Sequence, residues 1–302
     1  MGRRTGFALL VLLLIGVGAL RAEDSVDSST TETVRVFPDN PLPGNTLQIV
    51  TRNQVAVRFE EHDFPSFPIA TGEWRALVPL SALMHPREYP LEVLSGPNTW
   101  TIPLRVAPRR FGLQRISLSA GRAALEATPT EEEAIGSALR TLSPEQFWQL
   151  PFRRPSGGRI SSGFGLRRTY NGVLEQNYYH RGYDFAAPQG AGVIAPAAGR
   201  VVLVGTTQRG FRLHGNTLVL DHGQGVTSIY IHLSRILVRR GEMVKAGQRI
   251  ALVGSSGRAT GAHLHWGIYA HGVAIDPADW LAGRICCRAS GNSSAAAAES
   301  AS

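Results

Sequence analysis

Short β-type runs punctuated by turn residues constrain the fold of this chain more than any other feature. Between Val34 and Val106 stand "LQIVT", "VAVRFE", "WRALVPL", "YPLEVL" and "TWTIPLRV", separated by turn signals such as Pro41 to Asn45 and Ser95 to Asn98. Runs of this length and spacing predict a small all-β sandwich of immunoglobulin-like type. From Arg159 to Leu281 short strands return, with glycine at almost every turn. Both halves are therefore expected to be β, and 302 residues give room for two domains.

Helical signals are confined to the stretch between them. "TPTEEEAIGSALRTL" offers Thr128 as N-cap, Pro129 at the first helical position and Glu131 three residues after the cap. "SPEQFWQL" repeats the device with Ser143, Pro144 and Gln146. The pattern predicts two short helices between Thr128 and Leu150. "PFRRPSGG" then marks a boundary by its proline and glycine content.

At the N-terminus, Arg3 and Arg4 precede an unbroken apolar and glycine run from Phe7 to Leu20, and Ala22 stands before the first acids. This is the pattern of a secretory signal cleaved after Ala22. A retained membrane anchor is the weaker alternative, because the run falls short of the roughly 20 residues that cross a bilayer. No cysteine follows the run to carry a lipid. The expected organisation is a signal peptide at 1–22, a β-sandwich module at 23–107, a connector with short helices at 108–155, a second β domain at 156–284 and a disordered tail at 285–302. The protein is expected in the periplasm or elsewhere in the cell envelope or outside it, without stable membrane insertion after cleavage.

The formal charge of +8 includes Arg3, Arg4 and Arg21, so removing those three leaves +5. A basic exported chain meets anionic envelope polymers. Nucleic acid is a poor alternative partner, because Lys245 is the only lysine and the arginines are scattered rather than clustered with aromatics. Cys286 and Cys287 are adjacent and could pair with each other only through a strained ring, so they form no disulfide framework. Nothing in the sequence sets the oligomeric state.

The chemistry lies in the histidines. "GAHLHWGIY" places His263 and His265 two residues apart, and a β-strand would aim both at one face. Alone, such a pair fits histidines bonded to backbone as well as it fits a site. "HRGYD" adds His180 and Asp184, which share a face in a strand and turn. "SIYIHLS" adds His232, which alternation puts on the side of Tyr230, with Ile229, Ile231 and Leu233 on the other. Two histidines and one carboxylate, with a fourth position left for water, suit a catalytic zinc. A structural zinc would be closed by four protein ligands. The chain has no HExxH, so spare imidazoles would have to serve as acid and base. His222, in "LDHGQG" between strands, is expected in a turn; His62, His85, His214 and His271 lie in polar or loop contexts, and none of the five is expected to have a catalytic role. Tyr178 or Tyr179 could donate a hydrogen bond in the cleft, although packing is the expected use of both, and Trp266 is expected in the core.

At these residues the chain resembles the lysostaphin-type, or LytM-type, zinc endopeptidases of bacterial cell walls. The resemblance runs from about Gly158 to Leu281. It comprises "SSGFGLR" at Ser161 to Arg167, "HRGYDFAAPQGAGVIAPAAGRVV" from His180, "GNTLVLDHGQGVTSIYIHLS" from Gly215, "VRRGEMVKAGQRIALVGSSGRATGAHLHW" from Val238 and "DPADWL" from Asp276. Ala191-Gly192 stands where Thr-Pro is frequent, and Ala262 where proline is common; neither change removes a ligand. The resemblance implies a compact antiparallel β core with its cleft along one sheet. It implies zinc held by His180, Asp184 and His265, with His232 and His263 as catalytic histidines. The implied activity is hydrolysis of peptide cross-links in peptidoglycan, whose peptide stems are then the partner. The alternative is a catalytically inactive regulator of the same fold that binds the envelope. The resemblance also raises latency, in which Glu131, Glu132 or Glu133 of the connector would occupy the open metal position; favourable charge at a helix N-terminus is the plainer reading of these glutamates.

Overall fold

The computed structural model describes residues 33–285. The signal run, the two cysteines and the tail lie outside them. The first seven strands are β1 (Arg35–Phe37), β2 (Thr46–Thr51), β3 (Ala56–Phe59), β4 (His62–Pro68), β5 (Trp74–Pro79), β6 (Glu88–Ser95) and β7 (Asn98–Arg105). Their order is β1-β2-β5-β4-β3-β6-β7, and every pair is antiparallel. β4 joins the two halves of this array, pairing with β3 through His62 to Pro65 and with β5 through Ser66 to Pro68. The two halves enclose one apolar cluster, with Leu47 and Ile49 from β2, Val57 from β3, Val78 from β5 and Leu91 and Val93 from β6 all fully buried. This is the two-layered packing that alternating runs demand, because each strand buries the side chains of one face.

The connector holds β8 (Leu113–Ile116), α1 (Ala120–Ala123) and α2 (Pro129–Leu139). The expected capping box is present: the Thr128 side chain accepts from the Glu131 N–H, and the Glu131 side chain reaches back to the Thr128 N–H. The second expected helix does not form. The Ser143 hydroxyl, its would-be cap, donates to Asp221 Oδ2, while the Ser143 carbonyl accepts from Gln224 N–H and the Phe147 N–H donates to the His222 carbonyl. Tertiary partners thus take the groups that would have started the helix. β8 was not legible as a strand, and its pairing is the exception to the antiparallel rule: it lies parallel to β10.

The second half contains β9 (Arg159–Ser162), β10 (Arg167–Tyr170), β11 (Val173–Leu174), β12 (Tyr183–Ala186), β13 (Gly192–Ile194), β14 (Gly199–Gly205), β15 (Asn216–Gly223), β16 (Val226–Ile236), β17 (Met243–Val244), β18 (Arg249–Val253), β19 (His263–Ala270), β20 (Val273–Ile275) and α3 (Pro277–Leu281). The main sheet runs β17-β14-β15-β16-β19-β12-β9, with β18 pairing to β13 and β16, and β20 to β19. One face carries Leu218, Leu220, Tyr230, Leu264, Trp266 and Ile268, packed with Trp148 and Phe152 of the connector. The other face carries Val219, Ile229, Ile231 and Tyr269, packed against Ile135, Ala138 and Leu139 of α2. Helix α2 therefore covers the sheet on the side that alternation alone would leave to solvent. His222 belongs to β15, where it is fully buried, rather than to a turn. Among the described residues no helix is long and apolar enough to cross a membrane.

Trp280 of α3 ties these parts together. It is fully buried, packs edge-on against Trp148 at 5.2 Å and Phe152 at 5.0 Å between ring centroids, and donates its indole N–H to Thr46 Oγ1 of the first β array at 3.4 Å. Trp280→Ala should lower the free energy of unfolding by about 3–5 kcal/mol, the usual cost of deleting a large buried aromatic. Denaturant titration measures it, and a loss under about 1 kcal/mol would show that the site collapses around the missing ring.

Candidate metal centre

β12 and β19 pair so that Asp184 stands directly opposite His265. Along β19, His263 and His265 turn toward a cleft while Leu264 and Trp266 enter the core fully buried, as two-residue alternation requires. His180 lies just before β12. Gly182 lets the chain close on β19, since a Cβ there would lie 2.2 Å from the Trp266 carbonyl oxygen. His180 Nε2, Asp184 Oδ1 and His265 Nδ1 consequently form a triangle with sides of 2.9, 2.8 and 2.8 Å.

Counting protons shows what this triangle suits. His180 Nδ1 donates to the Gly163 carbonyl at 2.7 Å, so the Nε2 of the neutral ring carries a lone pair. The Asp184 carboxyl is held well below the usual carboxylate range: burial opposes its ionisation, but His180 and His265 beside it more than offset that. Burial pushes His265 down to about 4, leaving it neutral above that pH. Three electron-donor atoms therefore converge with at most one hydrogen among them. Such a set, left to hydrogen bonds alone, is short of protons, and a divalent cation satisfies all three donors at once. This is the metal-binding group of three that the described residues form.

Arg168 of β10 fixes the carboxylate from behind. Its guanidinium donates to Asp184 Oδ2 at 2.7 Å and, through Nε, to Gln114 Oε1 at 3.0 Å, while Gln114 Nε2 donates to Ser162 Oγ at 2.7 Å. The parallel β8–β10 ladder brings Gln114 into this position, facing Arg168 in register. Sequence reasoning missed both residues. An arginine one position beyond the "SSGFGLR" motif was the available signal for Arg168, and nothing flagged Gln114.

His232 departs from the expected alternation. Tyr230 is buried in the core, yet His232 lines the cleft together with Ile229 and Ile231. The cause is its backbone, which adopts φ 62°, a left-handed conformation that costs a non-glycine residue about 1–3 kcal/mol. The β16–β19 pairing ends at Ile231 opposite His265, and the pairing of β16 with β18 shifts register between Leu233 and Arg235. The twist turns the ring from the core side to the cleft side. The His232 N–H donates to the His214 carbonyl at 3.0 Å and its Nδ1 to the Ser256 carbonyl at 2.8 Å. His263 Nδ1 donates to the Gly261 carbonyl at 3.0 Å. In the neutral form of each ring this tautomer leaves Nε2 bare. The ring centroids are 4.8 Å apart, and His263 Nε2 is 4.0 Å from Asp184 Oδ1. Burial, helped by His263 and His265 nearby, pushes His232 well below the usual imidazole range.

The five histidine and aspartate side chains singled out in the sequence thus meet in one place. Four of them, Asp184, His232, His263 and His265, line a cleft of about 790 Å3, and α2 supplies part of its wall through Ile135 and Leu139. Tyr178 faces the cleft, whereas Tyr179 packs against Phe164 at 5.5 Å between centroids. Glu131 does not enter the metal triangle. Its carboxylate accepts from the backbone N–H groups of Arg212, Leu213 and His214.

Residues 178–277 match the model of Peptidase family M23. Peptidoglycan DD-endopeptidase ShyB of Vibrio cholerae is 40% identical over 118 residues, which are 39% of this chain and 26% of that protein. Murein hydrolase activator NlpD of Salmonella dublin is 32% identical over 154 residues, 51% of this chain and 36% of its own. The chain thus spans about a quarter to a third of the length of these curated relatives. A crystal structure of a putative peptidase M23 from Pseudomonas aeruginosa superposes with a TM-score of 0.60 at 27% identity, covering 80% of this chain and 94% of that one. His180, Asp184 and His265 all fall within residues 178–277, which form a peptidase family M23 domain.

Proposed function

We propose that the chain is a zinc endopeptidase of the bacterial cell envelope that hydrolyses the peptide cross-links of peptidoglycan. The observation that carries this is the convergence of three proton-poor donors, His180 Nε2, Asp184 Oδ1 and His265 Nδ1, beside His232 and His263 at the cleft. Two imidazoles and one carboxylate suit a catalytic zinc and leave a position for solvent. Bound there, zinc would supply a water acidified toward a pKa of about 7 and polarise the scissile carbonyl.

The protein's own groups do the rest. His232 and His263 offer two Nε2 atoms, one to accept the proton of the attacking water and the other to donate to the developing oxyanion or the leaving amine. Ser256 and Gly261 hold the ring tautomers that leave those atoms bare. Arg168 keeps the second Asp184 oxygen occupied, and Oδ1 is the oxygen that would hold an ion. In this reading residues 156–284 are the peptidase domain, with 23–107 a β module and 108–155 the connector. Export follows from the signal pattern at 1–22 and agrees with the peptidoglycan named for ShyB. The second reading, an inactive envelope-binding regulator, has support in the likeness to NlpD. Five intact site residues with bare Nε2 atoms on both spare histidines weigh against it.

Full-length protein tests the reading. Asp184→Ala and His265→Ala should lose zinc and hydrolysis together. His232→Ala and His263→Ala should keep zinc and lose about 10²–10⁴-fold in rate. Elemental analysis and mass spectrometry of muropeptides from purified sacculi decide it, and a zinc-loaded wild type that releases nothing would favour the regulator. Arg168→Met should weaken zinc binding by about 10–100-fold in competition with a chelator.

The pH dependence has a definite sign. A folded-state pKa lowered for His232 keeps its base form at pH values where a free imidazole is already charged, and protonation removes it only further down. The acid limb of kcat/KM should therefore reach half-maximum below about pH 6.5, the ordinary imidazole value. A half-maximum above that would contradict a buried, neutral His232.

A further inference from the structure

We infer that Glu131, on the connector helix and outside the stretch that matches the peptidase family, is a positioning residue for His232. The inference rests on the role given to His232 above. Glu131 is fully buried although its helical neighbours Glu132 and Glu133 are exposed. Its Oε2 accepts from Arg212 N–H at 2.9 Å and Leu213 N–H at 3.2 Å, and its Oε1 from His214 N–H at 2.8 Å and His214 Nδ1 at 2.8 Å. The capping contact with Thr128 N–H, at 3.4 Å, is longer than any of these. Helix capping alone needs none of the other four bonds. Burial by itself would raise this carboxyl's pKa, but the bonds from His214 and Leu213 hold it down to about 2.

The bound segment, residues 212–214, has no strand of its own to satisfy it. Its donors end on Glu131, and its acceptors reach toward the site. The Leu213 carbonyl accepts from Arg258 N–H at 2.8 Å, and the His214 carbonyl accepts from the His232 N–H at 3.0 Å. Gly215, at φ 70°, presses the same loop onto Ser256, where a Cβ would lie 2.4 Å from the hydroxyl oxygen. The Ser256 carbonyl in turn receives the His232 ring N–H. Both bonds that hold His232 in its left-handed conformation are thus seated on two loops that lean on each other. Glu131 clamps the first of them. A charged, fully buried acceptor with four loop donors is a rigid support of the kind a catalytic imidazole requires, because small misplacements of such groups cost large factors in rate.

The consequence is that the family domain of this chain borrows part of its catalytic geometry from the connector. If α2 instead merely obstructed the cleft, loosening it would raise the rate.

The experiment uses the full zinc-loaded chain with Glu131→Gln and Glu131→Ala, and Glu133→Ala as a surface control. Glu131→Gln is close to isosteric, keeps one accepting oxygen and guards against a loss of folding in the alanine variant. The expected result is a kcat on isolated cross-linked muropeptides lower by about 10–100-fold, with KM and zinc content unchanged. Glutamine should fall less than alanine, and Glu133→Ala should match wild type. Hydrogen exchange should quicken in peptides covering 212–216 and 229–234 and stay unchanged over 263–270. Folded Glu131 variants with wild-type kcat and wild-type exchange would overturn the inference, as would a rise in kcat. A wild type that binds zinc but cleaves nothing, with exchange still responding at 229–234, would sink the endopeptidase reading while leaving the clamp on His232 intact.

Discussion

Asp184 faces His265 across β12 and β19, and everything chemical in the molecule depends on that pairing. The ladder fixes the two donors without any side-chain search, because opposite residues in an antiparallel pair are held at a set separation. Gly182 supplies the close approach that returns His180 to the same point, and the fully buried Leu264 and Trp266 keep β19 from sliding. A register slip of one residue would bury His263 and His265 and expose the core tryptophan. Core packing and site geometry are in this sense one constraint.

Around that pairing the protein spends its buried polar groups with little waste. Asp184 would be costly to ionise in its pocket without Arg168 on Oδ2 and the imidazoles on Oδ1. Arg168 is held in turn by Gln114, and His232 by carbonyl groups of two loops. Several of these supports come from the connector, so the wall of the cleft and the alignment of its residues are built by chain outside the segment that defines the family.

Where period-two alternation governs the backbone, the site could be read directly from the letters, and His263, His265 and Trp266 fall where alternation puts them. The capping box at Thr128 and Glu131 was equally legible, since its signal is local. His232 was misplaced to the side of Tyr230 because a left-handed residue inside a strand leaves no mark in composition. The helix expected at Ser143 failed for a related reason: its capping hydroxyl is claimed by Asp221, 78 residues away. β8 escaped notice because four residues of mixed polarity become a strand only when β10 is beside them. Local rules held where bonds are local, and failed where a distant partner competes.

The order in which the donors appear along the chain has its own effect. His180 and Asp184 are four residues apart, but His265 lies 85 residues beyond His180, in one of the last strands of the domain. A chain synthesised and threaded from its N-terminus carries two of the three donors long before the third exists. Non-local pairing of this kind forms late, after the loop between the partners has been closed. Until β19 docks between β12 and β16, only His180 and Asp184 of the three donors are present. The late arrival of β19 therefore means that the three donors come together only in a molecule whose core is already closed.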